Sequence, residues 1–235
     1  MFVTFTLLKY APGRHYRAFA NMGRWMMNPF KSRGLQFQKM MGSGRQFGLM
    51  PNWSTYVFLA VWDTEKDAAA FFESPAWSRY INGTEGTGTL WLRPYRSHGK
   101  WDGQNPFTDD SVEHERLEDR PVAVLTRATI RFRALLDFWR HVPQARKRLQ
   151  SLTGDLLFSI GVGEKPVVQQ CTFSVWRDEK AVEQFAYRQA GHREVVRRTR
   201  QKQWYREELF ARMSVWKADG LFSELLAAQK QTTPP

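Results

Sequence analysis

From Phe2 onward the apolar positions recur first at every second residue and then at every third and fourth. Phe2–Tyr10 alternates and is rich in Val, Thr, Phe and Leu, the pattern of a strand, and Pro12 and Gly13 end it. Arg14–Met27 places Tyr16, Phe19, Met22 and Met26 at helical spacing, with Pro29 marking the end. Leu35–Met41 and Ser54–Trp62 are predicted strands on either side of a glycine-bearing stretch, Thr64–Tyr80 a helix and Thr87–Arg93 a strand. The predicted order is strand, helix, strand, strand, helix, strand.

Between His98 and Pro121 the periodicity is lost, and the segment, rich in Asp, Glu, Gly and Pro, reads as a linker or long surface loop. Beyond it the order begins again. Val122–Arg131 is a predicted strand, Arg133–His141 a helix stopped by Pro143, Leu156–Val162 and Val167–Trp176 strands, Asp178–Thr199 a helix and Glu208–Trp216 a strand. Leu221–Lys230 is a short terminal helix.

The second half echoes the first residue for residue. Trp62 and Trp176, Glu65 and Glu179, Lys66 and Lys180, and Phe71 and Phe185 all fall at one offset, and the pair Gly42 and Gly44 has its counterpart in Gly161 and Gly163. The expected fold class is therefore α+β, with two tandem ferredoxin-like repeats forming an intrachain dimeric α/β barrel. The expected organisation is repeat 1 over 1–97, a polar acidic linker over 98–121, repeat 2 over 122–217, and a C-terminal helix and tail over 218–235. The space enclosed by sheets and helices would suit an apolar ligand.

Charge and cysteine content narrow the setting. The chain of 235 residues has 35 Lys and Arg against 23 Asp and Glu, a formal charge of +12, of which +4 precedes residue 115 and +8 follows. No stretch approaches the ~20 apolar residues of a membrane span, and the first residues lack a signal-peptide pattern, so a cytoplasmic protein is expected. The single Cys171 excludes an intrachain disulfide. The densest basic run, Arg193–Arg206, suits a solvated face, a nucleic-acid footprint, or a surface meeting acidic lipids or an acidic redox partner. No zinc finger, phosphate loop or RNA-binding signature accompanies it, so no nucleic-acid partner is expected.

Helical spacing puts His192 on one side with Phe185, Gln189, Val195, Val196 and Thr199, among apolar neighbours and above arginines. Such an imidazole is either a hydrogen-bonded core residue or an iron ligand near acidic propionates. Cys171 would be a competing thiolate, but strand alternation sets it with Gln169 and Phe173. Arg127, Thr129 and Arg131 alternate onto one strand face, either outward or into a cavity, while Trp25, Met26, Met27, Pro29 and Phe30, with Lys31 and Arg33, could form an interfacial patch.

The dispersed blocks LTRATIR (125–131), LLFSIGVGEKP (156–166), TFSVW (172–176), the helix with His192 and REELFARM (206–213), with FANMG and GSG in the first half, resemble the spheroidene monooxygenase family of carotenoid 2-ketolases. The similarity spans most of Phe2–Trp216. It implies an oxygenase holding haem b, acting on a long acyclic carotenoid with dioxygen and a ferredoxin-type donor. It further implies His192 as the iron ligand, Arg127 and Arg131 as catalytic candidates, and Arg197, Arg198 and Arg206 as propionate partners. An apolar substrate would bring the enzyme into peripheral contact with the inner membrane surface. A non-enzymatic haem-binding or haem-transfer protein and a cofactor-independent oxygenase on the same barrel are the competing readings.

Overall fold

The computed structural model describes residues 1–45, 50–108, 117, 119–150, 154–165, 167–188 and 203–230, with backbone alone at 143–150, 187–188 and 227–230. Its strands are β1 (Phe2–Tyr10), β2 (Leu35–Gly44), β3 (Pro51–Trp62), β4 (Thr84–Gly99), β5 (Val122–Ile130), β6 (Leu156–Gly163), β7 (Gln169–Trp176) and β8 (Tyr205–Gly220). The helices are α1 (His15–Met27), α2 (Glu65–Phe72), α3 (Pro75–Ile81), α4 (Leu135–Gln150), α5 (Glu179–Arg188) and α6 (Ser223–Lys230). All strand pairs are antiparallel, and the sheet closes in the order β1-β3-β2-β6-β7-β5-β8-β4.

The order within each half is that of a ferredoxin-like unit, with β1 between β3 and β4, and β5 between β7 and β8. The closure is uneven. β4 and β8 run together from Gly88↔Gly220 to Gly99↔Leu209, whereas β2 and β6 meet only at Gly42↔Gly163 and Ser43↔Val162. The molecule is two ferredoxin-like sheets joined by one long seam and one short seam, and not a regular barrel.

The space between the sheets is filled. Val3, Phe5, Leu59 and Leu90 from the first sheet meet Leu125, Phe173, Ala211 and Met213 from the second, all buried in one core. The Phe5 and Phe173 rings stack at 3.7 Å between centroids. Among the described residues, the space between the two sheets is therefore close-packed core.

Several boundaries differ from the sequence expectation for identifiable reasons. The helix expected over 64–80 is two, because Thr64 caps α2 by accepting from the Asp67 N–H, and Ser74 caps α3 with Pro75 at its first position. β4 and β8 are each longer than expected because each extends along the other. α4 continues through Pro143. The segment expected as a linker is not all surface: Trp101 and Phe107 are buried in the core between the sheets, and the Leu117 N–H donates to Ser214 Oγ. The last part of the helix expected over 178–199 lies outside the described residues.

Candidate functional site

Strand alternation gives each half an outer face, and the two are built differently. In the first half Leu8, Met40, Tyr56, Phe58 and Trp62 point outward and are buried beneath the helices with Phe71, Trp77 and Tyr80. Phe58 lies 5.4 Å from Phe30, 5.8 Å from Phe71 and 5.5 Å from Trp77 between ring centroids. That face is closed.

The second outer face starts in the same way. Trp176 ends β7 as Trp62 ends β3, and each meets a helix phenylalanine at about the same distance, Phe71 at 5.1 Å and Phe185 at 5.0 Å. Each indole N–H donates to a hydroxyl at 2.9 Å, Thr4 in the first half and Ser174 in the second. Four residues back along the strand from each tryptophan the likeness stops. Gly161, Thr172, Thr126 and Phe210 form a row across β6, β7, β5 and β8, and the next row carries Gln170 and Ala128. Counted from the paired tryptophans, Phe58 is matched by Thr172 and Tyr56 by Gln170; on the neighbouring strands Leu8 is matched by Ala128, and Gly161 is matched by Met40 and not by Gly42 as expected from the sequence. Thr126, in the middle of a central strand, is exposed. Among the described residues the result is a shallow bay floored by small side chains, of which Gly161 and Ala128 are buried.

One border of the bay is polar. Arg212 is nearly buried, pairs with Glu179 and, among the described residues, leaves its Nε without a partner, while the Tyr95 hydroxyl donates to the same Glu179. His98 stacks on Phe210 at 5.3 Å and extends the row onto β4. On the opposite side a groove of about 270 Å³ crosses the short β2–β6 seam, sharing Gly161 and Gln170 with the bay and bordered by Phe19, Met22, Trp53 and Trp139. Its volume lies near the lower end of the ~300–1,000 Å³ usual for small-molecule sites.

The expected site residues divide into three groups. His192, Arg197 and Arg198 lie outside the described residues. Arg127 is buried at the end of the inter-sheet core, paired with Glu207, 3.5 Å from Asp102, and beneath the Trp101 ring at 5.5 Å. Its side chain faces away from the bay, because its neighbours Thr126 and Ala128 take the outer face. Arg131 lies just beyond β5, is exposed, and donates from Nε to the Tyr205 carbonyl at 3.1 Å. The expectation that Arg127, Thr129 and Arg131 lie on one strand face holds for the buried Arg127 and Thr129 and fails for the exposed Arg131, because β5 ends at Ile130. Arg206 is exposed on β8.

The charges around Arg127 fasten the end of the core. Burial alone would push the Glu207 carboxyl up, but the Gly103 N–H, Arg127 and the Asp102 N–H donate to it and hold it below its usual value. Lys39 pairs with Asp102 and Glu164, and the Trp101 indole N–H donates to Glu164 at 2.8 Å. Burial pushes the Cys171 thiol far up, aided by the Glu164 charge and opposed by Arg127, and the side chain lies in the core between the sheets, on the face away from the bay. Among the described residues no group of three or more His, Cys, Asp or Glu is placed to hold a metal ion.

Residues 139–220 match a family model described as a domain of unknown function, DUF3291. A spheroidene monooxygenase from Cereibacter sphaeroides is 37% identical over 209 residues, 85% of this chain, and the match spans 63% of that relative's length. A spheroidene monooxygenase from Rhodobacter capsulatus is 35% identical over 79% of this chain and 78% of the relative. Among solved structures, a crystal structure of aldoxime dehydratase aligns with a TM-score of 0.58 at 10% identity, over 91% of this chain and 80% of that one, a likeness of fold alone. By its similarity to the Rhodobacter relative over more than three quarters of both chains, this chain belongs to the spheroidene monooxygenase family.

Proposed function

We propose that the chain is a haem-dependent monooxygenase that hydroxylates and then ketolates an acyclic carotenoid of the spheroidene type at C-2, using dioxygen and reduced ferredoxin. Each round puts one oxygen atom into a C–H bond and reduces the other to water with two electrons from reduced ferredoxin and two protons from solvent. Two rounds at one carbon give a geminal diol, which loses water to leave the ketone.

The observation that carries the reading is the opened outer face of the second half. A flat or rod-shaped apolar group laid across Gly161, Thr172 and Thr126 meets no floor side chain larger than threonine. In the first half Phe58 and Met40 fill the matching space. The floor would accommodate a flat group such as haem, and His192, in the sequence that follows α5, would hold its iron. When bound there, haem b would supply dioxygen activation. Arg212 offers an unpartnered, buried N–H at the border, suited to an acidic edge group, with Arg197, Arg198 and Arg206 as further partners. The Thr126 and Thr172 hydroxyls can each donate or accept at the floor, and the apolar groove would guide a polyene in from the short seam. The matched Trp–Phe pairs, indole hydrogen bonds and strand orders support descent of the two halves from a tandem repeat.

The test is an absorption spectrum of the full chain titrated with haem, beside His192→Ala and His98→Ala, followed by carotenoid turnover with dioxygen and reduced ferredoxin. The expected outcome is a stoichiometric Soret band lost or shifted in His192→Ala, retained in His98→Ala, and accompanied by turnover in the parent. Turnover without a Soret band would show a cofactor-independent oxygenase. A Soret band without turnover would leave a haem-binding protein.

A further inference from the structure

The groove at the short seam opens beside apolar side chains that the fold leaves in water. Phe19, Met26, Trp53 and Val167 all border it and are 51%, 69%, 45% and 42% exposed. Phe19 and Trp53 contact each other at 4.8 Å between ring centroids, and Met27 beside Met26 is 82% exposed. Trp25 and Phe30, from the same stretch of sequence, turn inward: the Trp25 indole N–H donates to Gln38, and Phe30 packs among Phe58, Phe71, Trp77 and Tyr80. The outward set is therefore selected by the fold from both halves. A contiguous patch of this kind marks an interaction surface.

Its charge surroundings identify the partner. Residues 1–62 contain no Asp or Glu, and Arg14, Arg24, Lys31, Arg33 and Arg45 are exposed on α1, its flanks and the end of β2. Glu164, the carboxylate in the groove wall, is engaged by Lys39 and Trp101. Apolar side chains standing among cations, of which Arg33 also pairs with Asp67 at 3.6 Å, match a bilayer surface with anionic headgroups, where each basic residue adds attraction and the apolar ones enter the acyl boundary. No helix among the described residues is long and apolar enough to cross a membrane.

We propose that the α1 and seam surface docks on an anionic lipid bilayer and places the groove mouth against the acyl region. The inference rests on the surface itself and not on the oxygenase reading, and its test contains neither haem nor carotenoid.

The full chain is sedimented with vesicles of phosphatidylcholine alone and of an equal mixture of phosphatidylcholine and phosphatidylglycerol. The mixed vesicles should carry the parent down and the neutral ones should not, with binding weakened by added salt. Met26→Glu combined with Trp53→Glu should lower partition at least about tenfold, the scale expected when buried apolar area is exchanged for charge at a lipid interface. Both positions are exposed, so the fold should survive, as circular dichroism would verify. Lys66→Glu on α2, which alters charge away from the groove, should leave partition unchanged. Failure of the parent to bind mixed vesicles, or equal binding by the double variant, overturns the proposal. So does parent self-association in sedimentation velocity that the double variant abolishes, because the surface would then be a contact between chains.

Discussion

Phe58 and Thr172 hold matching places on the outer faces of the two halves, two strand repeats from Trp62 and Trp176, but one sits in an aromatic cluster and the other helps floor a bay. The strands, their order and the Trp–Phe anchors are shared. What separates the halves is side-chain volume at a few outward positions: Met40 against Gly161, Leu8 against Ala128, Tyr56 against Gln170. A fold with two equivalent faces can use one for stability and release the other for binding, because a sheet face held at its end by Trp176 and Phe185 need not be filled throughout.

The largest effect is expected from emptying the closed face. Phe58→Ala should cost about 3–5 kcal/mol, measured by urea unfolding, because three aromatic rings lose their common neighbour. The reverse change, filling the open face with Thr172→Phe, should weaken haem or carotenoid binding at least about tenfold, or about 1.4 kcal/mol, in a spectral titration. Stability should move within about 0.5 kcal/mol, as for a partly exposed site. If binding is unaffected, the bay is not the site. Trp62→Phe and Trp176→Phe should each cost about 1 kcal/mol for the lost indole hydrogen bond, and unequal losses in urea midpoints would show that the two anchors are not equivalent.

The smallest expected effect leaves both faces alone. Glu207 has a folded pKa below its ordinary value, so its contribution is complete above that ordinary value and is lost as pH falls through the folded one. Glu207→Gln should flatten the acid limb of stability, followed as urea midpoints from neutral to acid pH.

Much of the architecture could be read from residue patterns. Period-two runs at Phe2–Tyr10 and Ser54–Trp62 and the shared offset of Trp62 and Trp176 pointed to two ferredoxin-like units before any strand was paired. The bay was less visible. Thr172, Gly161 and Ala128 are unremarkable one at a time, and their meaning comes from cross-strand register, which periodicity does not supply. Arg212 was missed because an arginine in a strand looks outward until α5 covers it with Glu179. Arg127 and Arg131 share a face only in a strand that runs to 131; β5 ends at Ile130, and the closing segment around Trp101 claims Arg127. His98 seemed part of a linker because the extension of β4 depends on β8, far away in sequence.

That dependence of β4 on β8 also bears on how the chain is made. β4 is sixteen residues long, and its outer partner is the last strand of the second half. During synthesis the first half can pair β1 with both of its neighbours, but one side of β4 must wait for the whole second half, a long-range closure of the kind that slows folding. Until then it presents an open edge able to recruit strands from other nascent chains. Pro94 in mid-strand is suited to that interval because it lacks a donor, and Arg93 and Arg96 beside it bring positive charge to the waiting edge. The register shift that it leaves beside β8 in the finished molecule is then the trace of a safeguard needed before the molecule is finished.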